Sequence, residues 1–278
     1  MPIEYVAAAL FSALLHAGWN AAVKASPRPP EAMAGQMLVS ALIGLPILLA
    51  AGLPKSGAWP WLLASTSMNM ASVAALLRAY ATAGFGVAYP IARAVSVLLV
   101  VPLAALLAGE TLGPAALSGI GLITVSLGIL SLGAGADRGL SRSALGWTLL
   151  AGLTTAGYVL CDAQGVRQSG SAWGYGALVS ILNAAAMSWR IRHLGSPLDH
   201  VRTTWRVAVP AAVAAMASYL IILWVWTRAP IATATALRDT SAVFAVLIAV
   251  FWLREPLGWQ RIVAVLLAAA AVPLLRAG

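Results

Sequence analysis

Nine short clusters of charge, proline and glycine interrupt an otherwise apolar chain of 278 residues. They fall at Lys24–Glu31, Gly52–Pro60, Thr82–Val87, Gly109–Pro114, Gly133–Ser143, Asp162–Ser171, Arg190–Arg206, Arg228–Pro230 and Arg254–Trp259. Ten segments remain, at 3–24, 32–52, 59–81, 86–108, 113–133, 144–162, 172–190, 207–227, 231–253 and 258–276. Each is close to the ~20 residues that a helix needs to cross a bilayer. In hydrocarbon the backbone must satisfy its own hydrogen bonds, so only helices and closed barrels span a membrane. Barrel strands alternate apolar and polar residues, whereas runs such as Ser96-Val97-Leu98-Leu99-Val100-Val101 do not. The reading is an all-α integral membrane protein with ten transmembrane helices.

With 61% hydrophobic and 9% charged residues, the chain lacks the polar surface of a soluble globule, which is about 25% charged. A soluble enzyme and a nucleic-acid binder are both excluded, and the lipid bilayer is the expected surrounding. The basic excess sorts by side. Loops after the odd-numbered segments hold ten Lys or Arg, and the side with both termini holds four. The positive-inside rule then places both termini outside the cytoplasm, in a plasma (inner) membrane. Met1–Tyr5 has no basic region ahead of its apolar run, so the first segment reads as a retained helix rather than a signal peptide. Trp59, Trp61, Trp147, Trp173, Trp189, Trp205, Trp252 and Trp259 lie near segment ends and read as interfacial anchors.

The chain also repeats itself. At an offset of 145, Thr82 meets Thr227, Arg93 meets Arg238, Ser96 meets Ser241, Glu110 meets Glu255 and Gly113 meets Gly258. At an offset of 139, Ala17-Gly18-Trp19 meets Ala156-Gly157-Tyr158. Two repeats follow, 1–136 and 143–278, each with five helices. An odd number of helices makes the second repeat enter the membrane from the opposite side. Inverted repeats of this kind place a central cavity between the halves and permit alternating access.

Three stretches carry a family resemblance: His16-Ala17-Gly18-Trp19-Asn20 with Lys24, the turn Ala79-Tyr80-Ala81-Thr82, and Gly109-Glu110-Thr111-Leu112 with its counterpart Arg254-Glu255-Pro256-Leu257. On these the whole chain resembles the drug/metabolite transporter superfamily, in its ten-helix, twin-EamA branch. The resemblance implies a secondary exporter of amino acids, other metabolites or drugs, with a basket of helices around a central cavity. Exporters of neutral and aromatic amino acids, of the YddG kind, belong to that branch.

Ionisable residues inside a membrane are costly and point to function. Arg93 and Arg238 each sit about seven residues into a segment, roughly 10 Å deep. They read either as cavity-wall cations for a substrate carboxylate or gate, or as structural partners. Asp239 follows Arg238 directly and cannot face it, so it is expected to pair with another helix. His16, Trp19 and Asn20 share one helical face, which suits a cavity better than lipid. The resemblance implies a proton-binding glutamate near the place of His16. A histidine there leaves proton exchange and uniport both open. Tyr158 is the repeat partner of Trp19, and Asp162 follows it at i+4, at the expected solvated end of its segment. Tyr80 and Tyr89 flank the turn into the fourth helix. Asn69, Asn183 and Tyr219 read as interhelical hydrogen-bonding groups, and Arg78 as reaching the interface. Trp224 and Trp226 read as anchors, Glu110 and Glu255 as favouring the positive ends of the helices that follow them, and Gly121 and Gly128 as close-approach points.

No phosphate loop, His-Glu-x-x-His pair or Gly-x-Ser-x-Gly elbow occurs in the sequence. No cofactor, metal or enzymatic activity is expected, and a membrane-embedded enzyme is the weaker alternative. One cysteine, Cys161, excludes an intrachain disulfide. Ten helices enclose a cavity without help, so a monomer is expected, with a small molecule, an amino acid first, as its substrate.

Overall fold

A computed structural model describes residues 1–83, 85–134, 141–251 and 258–278. The described chain is helical: α1 Ile3–Lys24, α2 Pro29–Ala51, α3 Trp59–Ala83, α4 Phe85–Ala108, α5 Pro114–Ala134, α6 Arg142–Ser169, α7 Ala172–Arg190, α8 Pro197–Trp226, α9 Ile231–Asp239, α10 Ser241–Phe251 and α11 Trp259–Ala277. Eight described stretches, one of them spanning α9 and α10, are long and apolar enough to cross a membrane. Local signals set several ends. Ser141 caps α6 by accepting from Ala144 N (3.1 Å), and Ser171 caps α7 by accepting from Gly174 N (3.2 Å). Gly170, at φ +80°, ends α6 in the left-handed conformation that glycine adopts without strain.

Three boundaries differ from those read off the sequence. Helix α6 runs on to Ser169 instead of stopping at residue 162. Its polar last turns persist because neighbouring helices take up the side chains, Asp162 among hydroxyls and Arg167 on carbonyl oxygens. Helix α8 starts at Pro197 rather than 207, where proline at the first helical position fits its fixed φ. The ninth segment is divided at Thr240, between α9 and α10. There Thr240 N bonds Leu237 O and Val243 N bonds Thr240 O, three residues apart, and Thr240 Oγ1 also donates to Leu237 O (2.6 Å). This tightened turn puts Arg238 and Asp239 at a helix end rather than in mid-helix.

The Met1 amine donates to Arg276 O, so both termini lie at one end of the bundle, and Lys24, at the far end of the 22-residue α1, lies at the other. Helix α3 packs on α6, and α8 packs likewise on α1. Helix α4 lies on α6, as α9 and α10 lie on α1. Two further pairs are α2 with α7 and α5 with α11. Leu49, Leu106 and Phe251 are 80% or more exposed, a distribution that suits lipid and not water. Trp59, Trp173, Trp189 and Trp259 are exposed near helix ends, as interfacial anchors are, while exposed Trp205 is the ninth residue of α8. The Arg78 guanidinium lies 4.6 Å from the ring of Trp147. Trp252 falls outside the described residues.

Small residues allow the closest crossings, though not at the glycines expected. A Cβ on Gly121 or Gly128 would meet nothing within 4 Å, because both lie on the outer side of α5. At Gly152 on α6 a Cβ would stand 2.6 Å from Val95 Cβ and 2.9 Å from Ala92 O on α4. Gly152→Val is therefore expected to push α4 off α6 and to destabilise the protein by about 1–3 kcal/mol. Thermal unfolding of the purified protein in detergent checks this, with Gly121→Ala as the tolerated control. An unchanged midpoint for Gly152→Val would contradict the packing.

Candidate functional site

A cavity of ≈ 260 Å³ lies among α1, α2, α3, α4, α6, α7, α8 and α9. Its rim includes Lys24 and Pro29, both exposed, so it opens at the end of the bundle away from the termini. Asp162 and Arg238, 2% and 6% exposed, line its inner end. The cavity is of the scale that holds a small metabolite.

The i, i+3, i+4 spacing on α1 turns His16, Trp19 and Asn20 to this cavity. The imidazole meets the indole edge to face, with centroids 5.1 Å apart. Asn20 Nδ2 donates to His16 O (2.8 Å), which ties the amide to its own helix. Across from them, Arg93 on α4 is buried against three groups. Its Nη1 donates to Asp239 Oδ1 (3.0 Å), its Nη2 lies 2.7 Å from His16 Nε2, and its guanidinium sits 5.2 Å from the Tyr89 ring. A guanidinium has only donors, so His16 accepts at Nε2 and carries its proton on Nδ1. Adjacent helical residues point apart. Arg238 accordingly lines the cavity while Asp239, outside its lining, reaches α4. The two arginines are thus unequal: Asp239 follows Arg238, whereas Ala94 follows Arg93.

Tyr80, Tyr89, Tyr158 and Asp162 also line the cavity. Asp162 is not the solvated helix end that its sequence position suggests. It lies well inside α6, and three hydroxyls donate to it: Ser65 (2.5 Å) and Tyr175 (3.2 Å) to Oδ1, and Tyr219 (2.8 Å) to Oδ2. Among the described residues it has no cationic partner within ion-pair distance. Arg238 is its opposite. Its Nε is buried without a hydrogen-bond partner, and among the described residues its guanidinium makes no ion pair. The ring of Trp226, wholly buried and therefore no interfacial anchor, lies 5.9 Å from it.

Several lining residues escaped the sequence reading. Met33, Gln36, Met37 and Ser40 on α2 face the cavity, as do Ser180 and Met187 on α7 and Met216 on α8. On α2 the spacing of 3, 4 and 7 residues was a usable signal, but methionine on an apolar helix resembles core. Asn69, Asn183 and Tyr219, read as interhelical groups, line the cavity too. Glu110 acts on a different helix from the one expected. It accepts from Ile231 N (2.7 Å) and Ala232 N (3.3 Å), so it caps α9 rather than α5, and it pairs with Arg167 (3.1 Å). Glu255 lies outside the described residues.

Residues 142–277 match the EamA-like transporter family. The C-terminal half is thus similar to an EamA-like transporter domain. A solved crystal structure shares the fold across nearly the whole length. It has a TM-score of 0.78 at 16% identity, covering 99% of this chain and 96% of that one. No curated protein matches the sequence. The lipid-facing leucines and the multiple apolar helices make this a multi-pass membrane protein.

Proposed function

We propose that the whole chain is an EamA-type secondary transporter that exports small metabolites, foremost neutral and aromatic amino acids, by alternating access. The observation that carries this reading is Arg238: a buried guanidinium without an ion-pair partner among the described residues, at the inner end of a cavity. An uncompensated cation at that depth is costly, and a substrate carboxylate supplies the missing partner. Trp19, Tyr80, Tyr158, Met33 and Met216 give the rest of the cavity an apolar and adaptable lining for the substrate's side chain.

Ten transmembrane helices in two inverted repeats, 1–136 and 143–278, fit the recurrence of α3–α6 packing as α8–α1 and of α4–α6 packing as α9/α10–α1. With the termini outside the cytoplasm of an inner membrane, as the Lys and Arg distribution favours, the cavity opens inward, toward the side from which an exported substrate loads. A monomer suffices for this arrangement. Proton exchange through His16 would require a proton on Nε2 to displace the Arg93 guanidinium, a cation that opposes it. Pyranine-loaded vesicles would report that exchange as a substrate-driven pH change; an unaltered pH speaks for uniport.

Proteoliposomes containing the purified protein are expected to show saturable flux of labelled phenylalanine or leucine, lost in Arg238→Ala. Absence of saturable flux across a panel of amino acids would overturn the reading. A drug-only substrate range would replace amino acids with the family's other cargo.

A further inference from the structure

The inner end of the cavity carries two buried charges of opposite sign that do not touch each other. Arg238 has no ion pair, and Asp162, although bonded by three hydroxyls, has no cation within ion-pair distance among the described residues. The other buried pair, Arg93 with Asp239, is already neutralised. A carboxylate offers about four lone-pair sites. Ser65 and Tyr175 occupy Oδ1, and only Tyr219 occupies Oδ2, which leaves acceptor capacity on a group that lines the cavity. The hydroxyls donate without bringing positive charge, so they hold the carboxylate in place and leave its charge to be met by something else.

From this we infer that Asp162 is the ammonium subsite and Arg238 the carboxylate subsite of a zwitterion site. Asp162 then determines specificity, selecting α-amino acids over the corresponding monocarboxylates. This deepens the transport reading and rests on it. The selection is electrostatic. A ligand with both charges satisfies both walls, whereas a monoanion leaves Asp162 uncompensated and a monocation leaves Arg238 uncompensated.

Binding to the full-length protein in detergent, measured by titration calorimetry, tests this with three probes of one shape: L-phenylalanine, 3-phenylpropionate and 2-phenylethylamine. Wild type is expected to prefer phenylalanine to both others. Asp162→Asn should weaken phenylalanine about 10- to 100-fold, the loss of one charge-assisted contact, while phenylpropionate binds at least as well as before. Equal loss for both ligands would show that Asp162 only supports the helices, and no loss would show that it is idle; either overturns the inference. Arg238→Gln leaves Asp162 untouched and serves even if Asp162→Asn fails to fold. It should improve phenylethylamine binding, because the repelling cation is gone, and weaken phenylpropionate. Phenylethylamine binding no better than in wild type would again overturn the assignment. Should wild type bind phenylalanine while these ratios stay fixed, only the zwitterion assignment falls. Should wild type neither bind nor move any amino acid, the transport reading falls and this one with it.

Discussion

Arg93→Ala is expected to destabilise the folded protein by about 3–5 kcal/mol, the cost of leaving one member of a buried ion pair behind. Asp239 is 1% exposed, takes Arg93 Nη1 on Oδ1 and, among the described residues, has no hydrogen-bond partner on Oδ2. Without the guanidinium, its carboxylate stands uncompensated at the α9–α10 break. The same substitution also removes the contact to His16 Nε2. Arg93→Ala/Asp239→Ala should recover most of the loss, because both charges leave together. Arg238→Ala should behave in the opposite way. It removes a cation without an ion pair, so stability should hold or rise while amino-acid flux disappears. Unfolding midpoints in detergent, compared with flux in proteoliposomes, separate the two arginines. A matching drop in stability for both would mean that Arg238 has a structural partner after all.

The second large effect concerns the closed end of the bundle. Glu110, between α4 and α5, accepts from the first two amides of α9 and from Arg167 on α6, and Arg167 also donates to Trp226 O (2.8 Å) and Ala229 O (3.0 Å). One carboxylate therefore ties the first half of the chain to two helices of the second, α6 and α9, on the far side of the cavity from its opening. Under alternating access this tie must break once per cycle. Glu110→Ala removes a helix cap and an ion pair together, and a cap alone contributes about 0.5–2 kcal/mol. The expected result is a shift toward the conformation open at the terminal end. In a background with Cys161→Ala, a cysteine at buried Ala229 should react with a membrane-impermeant maleimide about tenfold faster once Glu110 is alanine, the equivalent of ~1.4 kcal/mol. Unchanged labelling with only a lower unfolding temperature would make Glu110 a cap and nothing more.

Much of the candidate site could be read from residue type and spacing. His16, Trp19 and Asn20 share a helical face whatever the fold, since 3.6 residues per turn decides it. Arg93 and Arg238 stood out because charge is so rare in the spans. Asp239 could be expected to leave Arg238 for another helix on the same geometric ground. Asp162 was misplaced at a solvated end because its nearest sequence neighbours, Gln164 and Arg167, look like a loop. They remain helical because Gln164 donates to Leu107 O and Arg167 binds Glu110, groups more than fifty residues away. Glu110 was assigned to the wrong helix for a similar reason. The amides of α9 that it caps are 121 and 122 residues distant, and nothing local announces them.

By itself, then, the sequence determined that this chain is helical and lies in a membrane. Both follow from local rules: a run of apolar residues must bury its own backbone hydrogen bonds in lipid, and a helix does so within the run. Only the tertiary structure decided which buried charges are matched. Arg93 and Arg238 align at one offset in the sequence, yet one meets Asp239 across a helix interface and the other faces an open cavity. A buried charge is satisfied by whatever packs against it, and that neighbour is chosen by the fold.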